Sequence, residues 1–170
     1  MIVGLSTSTF TTIHVLLSLV GIGSGLVVLY GLIAGKRYDR WTLLFLSTTV
    51  ATSVTGFLFP NEHITPGIKL GIISMVVLAL AILARYTLAL AGRWRKVYTI
   101  SAVAALYFNC FVLVVQAFEK VPALNRLAPH QTEPPFAAAQ LLLLVAFLLL
   151  GTIATRRFRE DSPQVQRKAA

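Results

Sequence analysis

Residues 136–155 read FAAAQLLLLVAFLLLGTIAT, a run of 20 residues without a charged side chain. As an α-helix this run is about 30 Å long, which matches the hydrocarbon core of a bilayer. Four earlier stretches have a similar length and apolar content, so the sequence predicts five membrane spans. The predicted spans cover residues 10–34, 41–59, 67–91, 98–118 and 136–155.

The composition of the whole chain agrees with this pattern. Of 170 residues, 56% are apolar and 12% are charged, and the mean hydropathy is +0.78. A soluble domain carries about 25% charged residues, so this chain has too few to cover its own surface. The composition predicts an all-α polytopic membrane protein, and the single cysteine, Cys110, excludes an internal disulfide framework.

The segments between the predicted spans carry the proline and charge that end helices. They read GKRYDR, PNEHITP, GRWRK and EKVPALNRLAPHQTEPP, the last being residues 119–135. This long segment carries apolar side chains, so we expect it to lie against the outer end of the bundle. The predicted organisation is one bundle, residues 1–155, followed by a basic tail, residues 156–170.

Lysine and arginine are distributed unevenly between the two sides. Of the 15 basic residues, 12 fall in segment 35–40, segment 85–96 and the tail, and three fall on the other side. Basic residues mark the cytoplasmic side, so the amino terminus is expected outside and the tail in the cytoplasm. Because the charge is spread over three short segments, we expect no binding to nucleic acid.

Polar and small residues recur at helical spacing within the spans. His14, Ser18, Gly21 and Gly25 form one stripe on the first span, which favours helix packing. Arg85 lies at the cytoplasmic end of the third span, where we expect its stem to reach the headgroups rather than pair with Asp39. The residues predicted to form a polar interior are Thr48, Thr52, Asn109 and Gln116.

All three histidines are predicted on the outer side. Imidazoles with carboxylates bind metals or haem, and they relay protons to quinones. No spacing here is diagnostic, and each histidine taken singly favours an interfacial hydrogen bond. The candidate cofactor-binding residues are His14, His63, His130 and Gln140, and the acidic residues predicted beside them are Glu62, Glu119 and Glu133.

Several motifs that would indicate an enzyme or a transporter are absent from the sequence. It contains no P-loop, GxSxG, HExxH or CxxC motif, so no catalytic residue is predicted. No acidic residue falls within a predicted span, which argues against ion-coupled transport.

Five stretches of the chain carry a resemblance to a known class. They read KRYDRW, TSVTGFLFP, ARYTLALAGRWRKVY, LYFNCFVLVVQAFEKVPAL and LAPHQTEPPF. With these stretches the chain resembles small multi-pass inner-membrane proteins of proteobacteria, a class without assigned catalytic residues, and this implies a bacterial inner membrane. A looser similarity is to cytochrome b561-type haem-b membrane proteins, which need histidine pairs that this chain lacks.

Three functions remain open from the sequence. The first is a non-enzymatic subunit or accessory protein that binds a partner, lipid or cofactor at its periplasmic end; the expected partners are membrane lipid and other membrane subunits or further copies of the chain. The second is a redox module that holds haem b, a metal or a quinone near the histidines. The third is a small-solute channel or carrier lined by the polar interior residues.

Overall fold

The computed structural model describes residues 1–2, 4–60 and 65–158. These residues form helices and their connections. The helices are α1 (Thr7–Ile33), α2 (Asp39–Phe57), α3 (Pro66–Ile82), α4 (Trp94–Lys120), α5 (Pro122–Leu127) and α6 (Pro134–Arg157).

Local capping explains where two of the helices begin. Ser6 precedes α1 and its hydroxyl accepts a hydrogen bond from the Thr9 N–H at 3.1 Å. Thr65 caps α3 in the same way, with Pro66 in the first turn. Helix α1 therefore begins at Thr7, three residues before the predicted span.

Four of the described helical segments are long and apolar enough to cross a membrane. They are α1, α3 together with the turn that follows it, α4 and α6. Helix α2 is missing from this set because seven of its 19 residues are serine or threonine. It nevertheless packs against α1 and α3, so the bundle contains five long helices.

The third predicted span ends differently from the expectation that it continues to Ala91. A π-helical turn, Leu83–Thr87, follows α3, and the Leu90 N–H then reaches back to the Ala84 carbonyl at 3.0 Å. Ala89 and Leu90 have positive φ angles of 49° and 59°, which cost non-glycine residues about 1 kcal/mol or more each. Burial of the Leu90 side chain offsets part of this cost.

Helix α4 lies at the centre of the bundle and packs against α1, α3 and α6. Its buried side chains include Tyr98 and Leu106, and the α2 residue Phe45 is only 1% exposed beside them. A Cβ added at Gly25 would lie 2.9 Å from the Phe45 ring and 2.6 Å from Leu106. The centre of the bundle is therefore closed by apolar packing at this level.

Contacts bring three chain segments to one end of the bundle. Arg85 pairs with Asp39, and the rings of Tyr98 and Phe158 lie 6.3 Å apart. We call this the basic end because nine of the 15 lysines and arginines lie on the segments that meet there. They are Lys36, Arg37, Arg40, Arg85, Arg93, Arg95, Lys96, Arg156 and Arg157.

Candidate functional site

His14 lies in the second turn of α1, at the end of the bundle opposite the basic end. Its Nδ1 is 2.8 Å from the Thr55 hydroxyl oxygen on α2, and its ring meets Phe59 edge to face at 5.3 Å. The Thr55 hydroxyl also lies within hydrogen-bond distance of the Ala51 carbonyl, at 2.7 Å. These contacts fix the orientation of the imidazole against α2.

His130 does not join His14 in the described structure. His130 is exposed, and its backbone N–H donates to Glu133. His63 and Glu62 lie outside the described residues. Within residues 4–60 and 65–158, no group of three His, Cys, Asp or Glu side chains is placed to hold a metal.

Gln140 lies on α6 against α4 and away from the contacts of His14. Its Nε2 donates to the Phe111 carbonyl at 3.3 Å, while its Oε1 is buried without a partner among the described atoms. The predicted grouping of Gln140 with His14 and His130 is therefore not seen in the contacts of the described residues.

The long segment between α4 and α6 folds back onto the end of α4. The Asn125 amide donates to the Phe118 carbonyl at 3.2 Å, and Gln131 donates to the Val115 carbonyl at 3.2 Å. Short helix α5 and fully buried Ala128 belong to this arrangement. The segment therefore covers the end of α4. We expected it to cover the whole end of the bundle opposite the basic end.

Glu133 organises the turn before α6. Its carboxylate accepts from the backbone N–H of His130 at 3.2 Å and of Thr132 at 3.0 Å. Desolvation acts to raise the pKa of Glu133, but these backbone hydrogen bonds outweigh it and hold the pKa below its ordinary value. Glu119, in contrast, accepts from the exposed Gln116 amide at 3.3 Å and lies 3.9 Å from Lys120.

The residues predicted to form a polar interior do not lie in one site. Asn109 and Thr48 lie between helices, whereas Gln116 is exposed. Asn109 Nδ2 on α4 donates to the Thr49 hydroxyl on α2 at 3.1 Å. A Cβ added at Gly21 would lie 3.2 Å from Thr49 and 3.3 Å from Thr48, so α1 approaches both helices here. Thr52 has a buried hydroxyl oxygen without a partner in the described structure.

Arg85 does not extend to the headgroups as expected. Its side chain is 7% exposed and pairs with Asp39, whose side chain is 78% exposed. The guanidinium also lies 5.1 Å from the centre of the Tyr98 ring and 5.7 Å from that of Tyr86. The π-helical turn places the guanidinium of Arg85 against Tyr98 of α4. The rings of Tyr98 and Tyr86 stabilise the charge of the guanidinium.

A cavity of about 440 Å³ lies between α4 and α6. We call it the α4–α6 groove. Gly151 brings the two helices close, because a Cβ there would lie 3.2 Å from Val103. The groove has Arg156 at the basic end and is otherwise lined mainly by apolar side chains from Ile100, Val103, Ala104, Tyr107, Leu144, Phe147, Leu148 and Gly151, with Thr152 and Thr155.

The sequence analysis did not predict this groove. The sequence carries only a weak signal of it, namely the small residues Ala104 on α4 and Gly151 on α6. Whether these two positions face each other depends on which helices are neighbours. The buried Thr42 and Tyr98, whose oxygens are 3.4 Å apart, were also missed, although Thr42 precedes Thr49 by two helical turns.

Comparison of the chain with protein-family models, with curated proteins and with solved structures finds no match.

Proposed function

We propose that the chain is an integral membrane accessory protein that binds a hydrophobic ligand or partner segment in the α4–α6 groove and catalyses no reaction itself. The observation that carries this proposal is the groove. A volume of about 440 Å³ falls in the range that small-molecule sites occupy. Its lining offers contact area and one cation at its end, but no nucleophile paired with a base.

Two polar side chains outside the groove are already bonded within the bundle. Asn109 is bonded to Thr49, and Arg85 is held by Asp39 and two tyrosines. These contacts join helices of the same chain, so they stabilise the bundle. The α4–α6 groove remains as a concave surface with room for another molecule.

The proposed architecture has five spans, with α2 as the fifth. At 1.5 Å per residue, its 19 residues extend about 28 Å, close to the thickness of a hydrocarbon core. Two of its hydroxyls are bonded within the helix: Thr48 donates to the Leu44 carbonyl and Thr55 to the Ala51 carbonyl, both at 2.7 Å. Such bonds lower the cost of threonine in lipid.

The proposed orientation follows from the basic end. The positive-inside rule puts the basic end in the cytoplasm and Thr7 on the outer side. The resemblance to proteobacterial proteins makes the cytoplasmic membrane of a bacterium the proposed location.

A photo-crosslinking experiment tests whether the groove holds anything. Benzoylphenylalanine is incorporated at Leu148, which lines the groove, or at Leu142, which is 71% exposed but does not line it. The protein is purified in detergent and then photolysed, and adducts of the detergent itself are recognised by their known mass and set aside. We expect a discrete adduct by mass spectrometry from position 148 alone, and its loss when Ala104→Phe fills the groove.

The matched control for Ala104→Phe is Ala138→Phe, an exposed position on α6 outside the groove. It should leave the adduct at position 148 unchanged. Equal adducts from positions 148 and 142, or none from either, would overturn the proposed function.

A redox module is the second candidate function, because Thr55 holds Nδ1 of His14 and leaves Nε2 as the ring nitrogen that a metal or haem would meet. Such an outer hydrogen bond is typical of histidines that bind metals or haem. A Soret band in the purified protein that His14→Ala abolishes would establish this function. Protein from native membranes that shows neither absorbance nor bound metal would exclude it.

A further inference from the structure

We propose that the occupant of the α4–α6 groove is an anionic phospholipid from the leaflet at the basic end, with one acyl chain along the groove and its phosphate at Arg156. This inference rests on the proposed function and names the ligand of the same site. It follows from the length, the cross-section and the charge of the groove.

The length of the groove matches one leaflet. Its α6 lining extends from Leu144 to Arg156, which is about 18 Å of helix at 1.5 Å per residue. Half of a hydrocarbon core is about 15 Å thick. The groove therefore begins at the end of the bundle where a headgroup would lie and stops near the middle of the bilayer, as a lipid tail does.

The width of the groove suits a single hydrocarbon chain. Spread over about 18 Å, a volume of about 440 Å³ has a mean cross-section of about 24 Å². A single extended chain of methylene groups is thin enough to enter, and it would contact the buried floor formed by Val103 and Phe147.

The charge at the end of the groove selects the headgroup. Arg156 lines the groove and is exposed at the basic end. A guanidinium binds phosphate oxygens through charge-assisted hydrogen bonds. The surrounding basic residues add a positive field that favours a net negative headgroup over a zwitterionic one.

The position of α6 makes the groove accessible from the bilayer. Only 6% of the residues in its most apolar 18-residue window are buried inside the molecule. Leu148 and Thr152 on the groove are exposed. A lipid can therefore enter laterally, without passing through the bundle.

Native mass spectrometry of the full chain tests this inference. The purified protein is titrated with dioleoyl phosphatidylglycerol or with dioleoyl phosphatidylcholine, which share acyl chains and differ in headgroup charge. We expect one tightly bound phosphatidylglycerol and about tenfold weaker binding of phosphatidylcholine, because the positive field of the basic end attracts a net negative headgroup more strongly than a zwitterionic one.

Three variants separate the parts of the site. Arg156→Gln should lower the affinity for both lipids, by about tenfold for phosphatidylglycerol, because both carry the phosphate that Arg156 contacts. Arg157→Gln removes the same charge from the neighbouring residue, which does not line the groove, and should have little effect. Ala104→Phe should weaken both lipids, because it occupies the path of the acyl chain.

Each result decides between two claims. Equal binding of both lipids, with a groove adduct still present at position 148, would overturn the anionic-lipid inference and leave the proposed function standing. An adduct with a partner polypeptide would also overturn it. If Arg156→Gln and Arg157→Gln lower phosphatidylglycerol binding equally, the two arginines act only through the overall positive field of the basic end. The assignment of the phosphate to Arg156 is then wrong.

Discussion

At the residue scale, the amide of Asn109 links two helices deep in the bundle. It donates to Thr49, which is fully buried, while Gly21 allows α1 to close over the pair. The sequence identified Asn109 as a polar residue near the middle of a span that needs a partner. It could not identify Thr49 among the many hydroxyls of α2, because the rotation of each helix is set by packing.

We expect Asn109→Leu and Thr49→Val to be coupled in their effects on stability. The interhelical bond is worth about 0.6–1.7 kcal/mol in a membrane bundle, and the double variant should lose less than the sum of the single variants by that amount. A double-mutant cycle on reversible unfolding in mixed micelles measures it. Asn109→Leu with Thr152→Val is the control pair, and its effects should add; additivity in both pairs would contradict the bond.

Loss of the Arg85 side-chain charge should lower the stability of the protein more than loss of the Asp39 charge. Asp39 is mostly exposed, so water screens its attraction and Asp39→Asn should cost about 1 kcal/mol or less. Arg85→Gln also removes the contacts of the cation with Tyr98 and Tyr86, which are worth about 2 kcal/mol when desolvated. Thermal unfolding in detergent should therefore show the larger loss for Arg85→Gln; equal losses would argue for an isolated ion pair.

The sequence expectation for Arg85 failed for a physical reason. A regular helix through residue 91 would have allowed the side chain to extend along its axis. The π-helical turn changes the direction of the side chain by adding a residue to the turn, and it brings Arg85 over Tyr98 on α4. A wider turn of this kind has no simple signature in the sequence.

At the element scale, α1 packs through the two glycines of its stripe. Gly21 faces Thr49 and Asn109, and Gly25 faces Phe45 and Leu106. This agrees with the helix-packing interpretation of their four-residue spacing. The partner helices, α2 and α4, could not be identified from α1 alone.

Gly25→Ala and Gly23→Ala should change stability in opposite directions. At Gly25 a methyl group would lie 2.9 Å from the enclosed Phe45 ring, and such overpacking costs about 1–3 kcal/mol. At Gly23 nothing lies within 4 Å, so alanine should stabilise the helix by about 0.5–1 kcal/mol.

The melting temperatures of the two alanine variants in the same detergent provide the measurement. Both substitutions add one methyl group to α1, so both variants gain the same helix propensity. Any difference between them therefore reports the packing around the two positions. A similar shift for both would show that α1 is not closely packed against Phe45.

Helix α2 is less apolar than the four described segments that are long and apolar enough to cross a membrane. Its polar side chains lower the apolar average, yet Thr42 and Thr49 are buried by neighbouring helices. The sequence pattern identified the helix within two residues at each end, because breakers flank it at GKRYDR and PNEHITP. Its contacts explain why so many hydroxyls are tolerated: they bond to backbone carbonyls or across to α4.

At the scale of the whole molecule, the fold class and the helix order could be predicted, since both depend on apolar length and on breakers. The lateral arrangement could not, because it depends on which side chains fit together. The predicted histidine site depended on that arrangement, and so did the α4–α6 groove. His14 finds its partners on α2, while Gln140 lies against α4.

The proposed topology depends most on α2 crossing the membrane, because this crossing fixes the side on which every later segment lies. In a Cys110→Ser background, single cysteines replace Lys36 and Pro60, which are exposed and lie on either side of α2. They are labelled with an impermeant maleimide in intact spheroplasts and in inverted vesicles. Position 60 should react only in spheroplasts and position 36 only in inverted vesicles. Reaction of both positions in the same preparation would contradict the proposed topology.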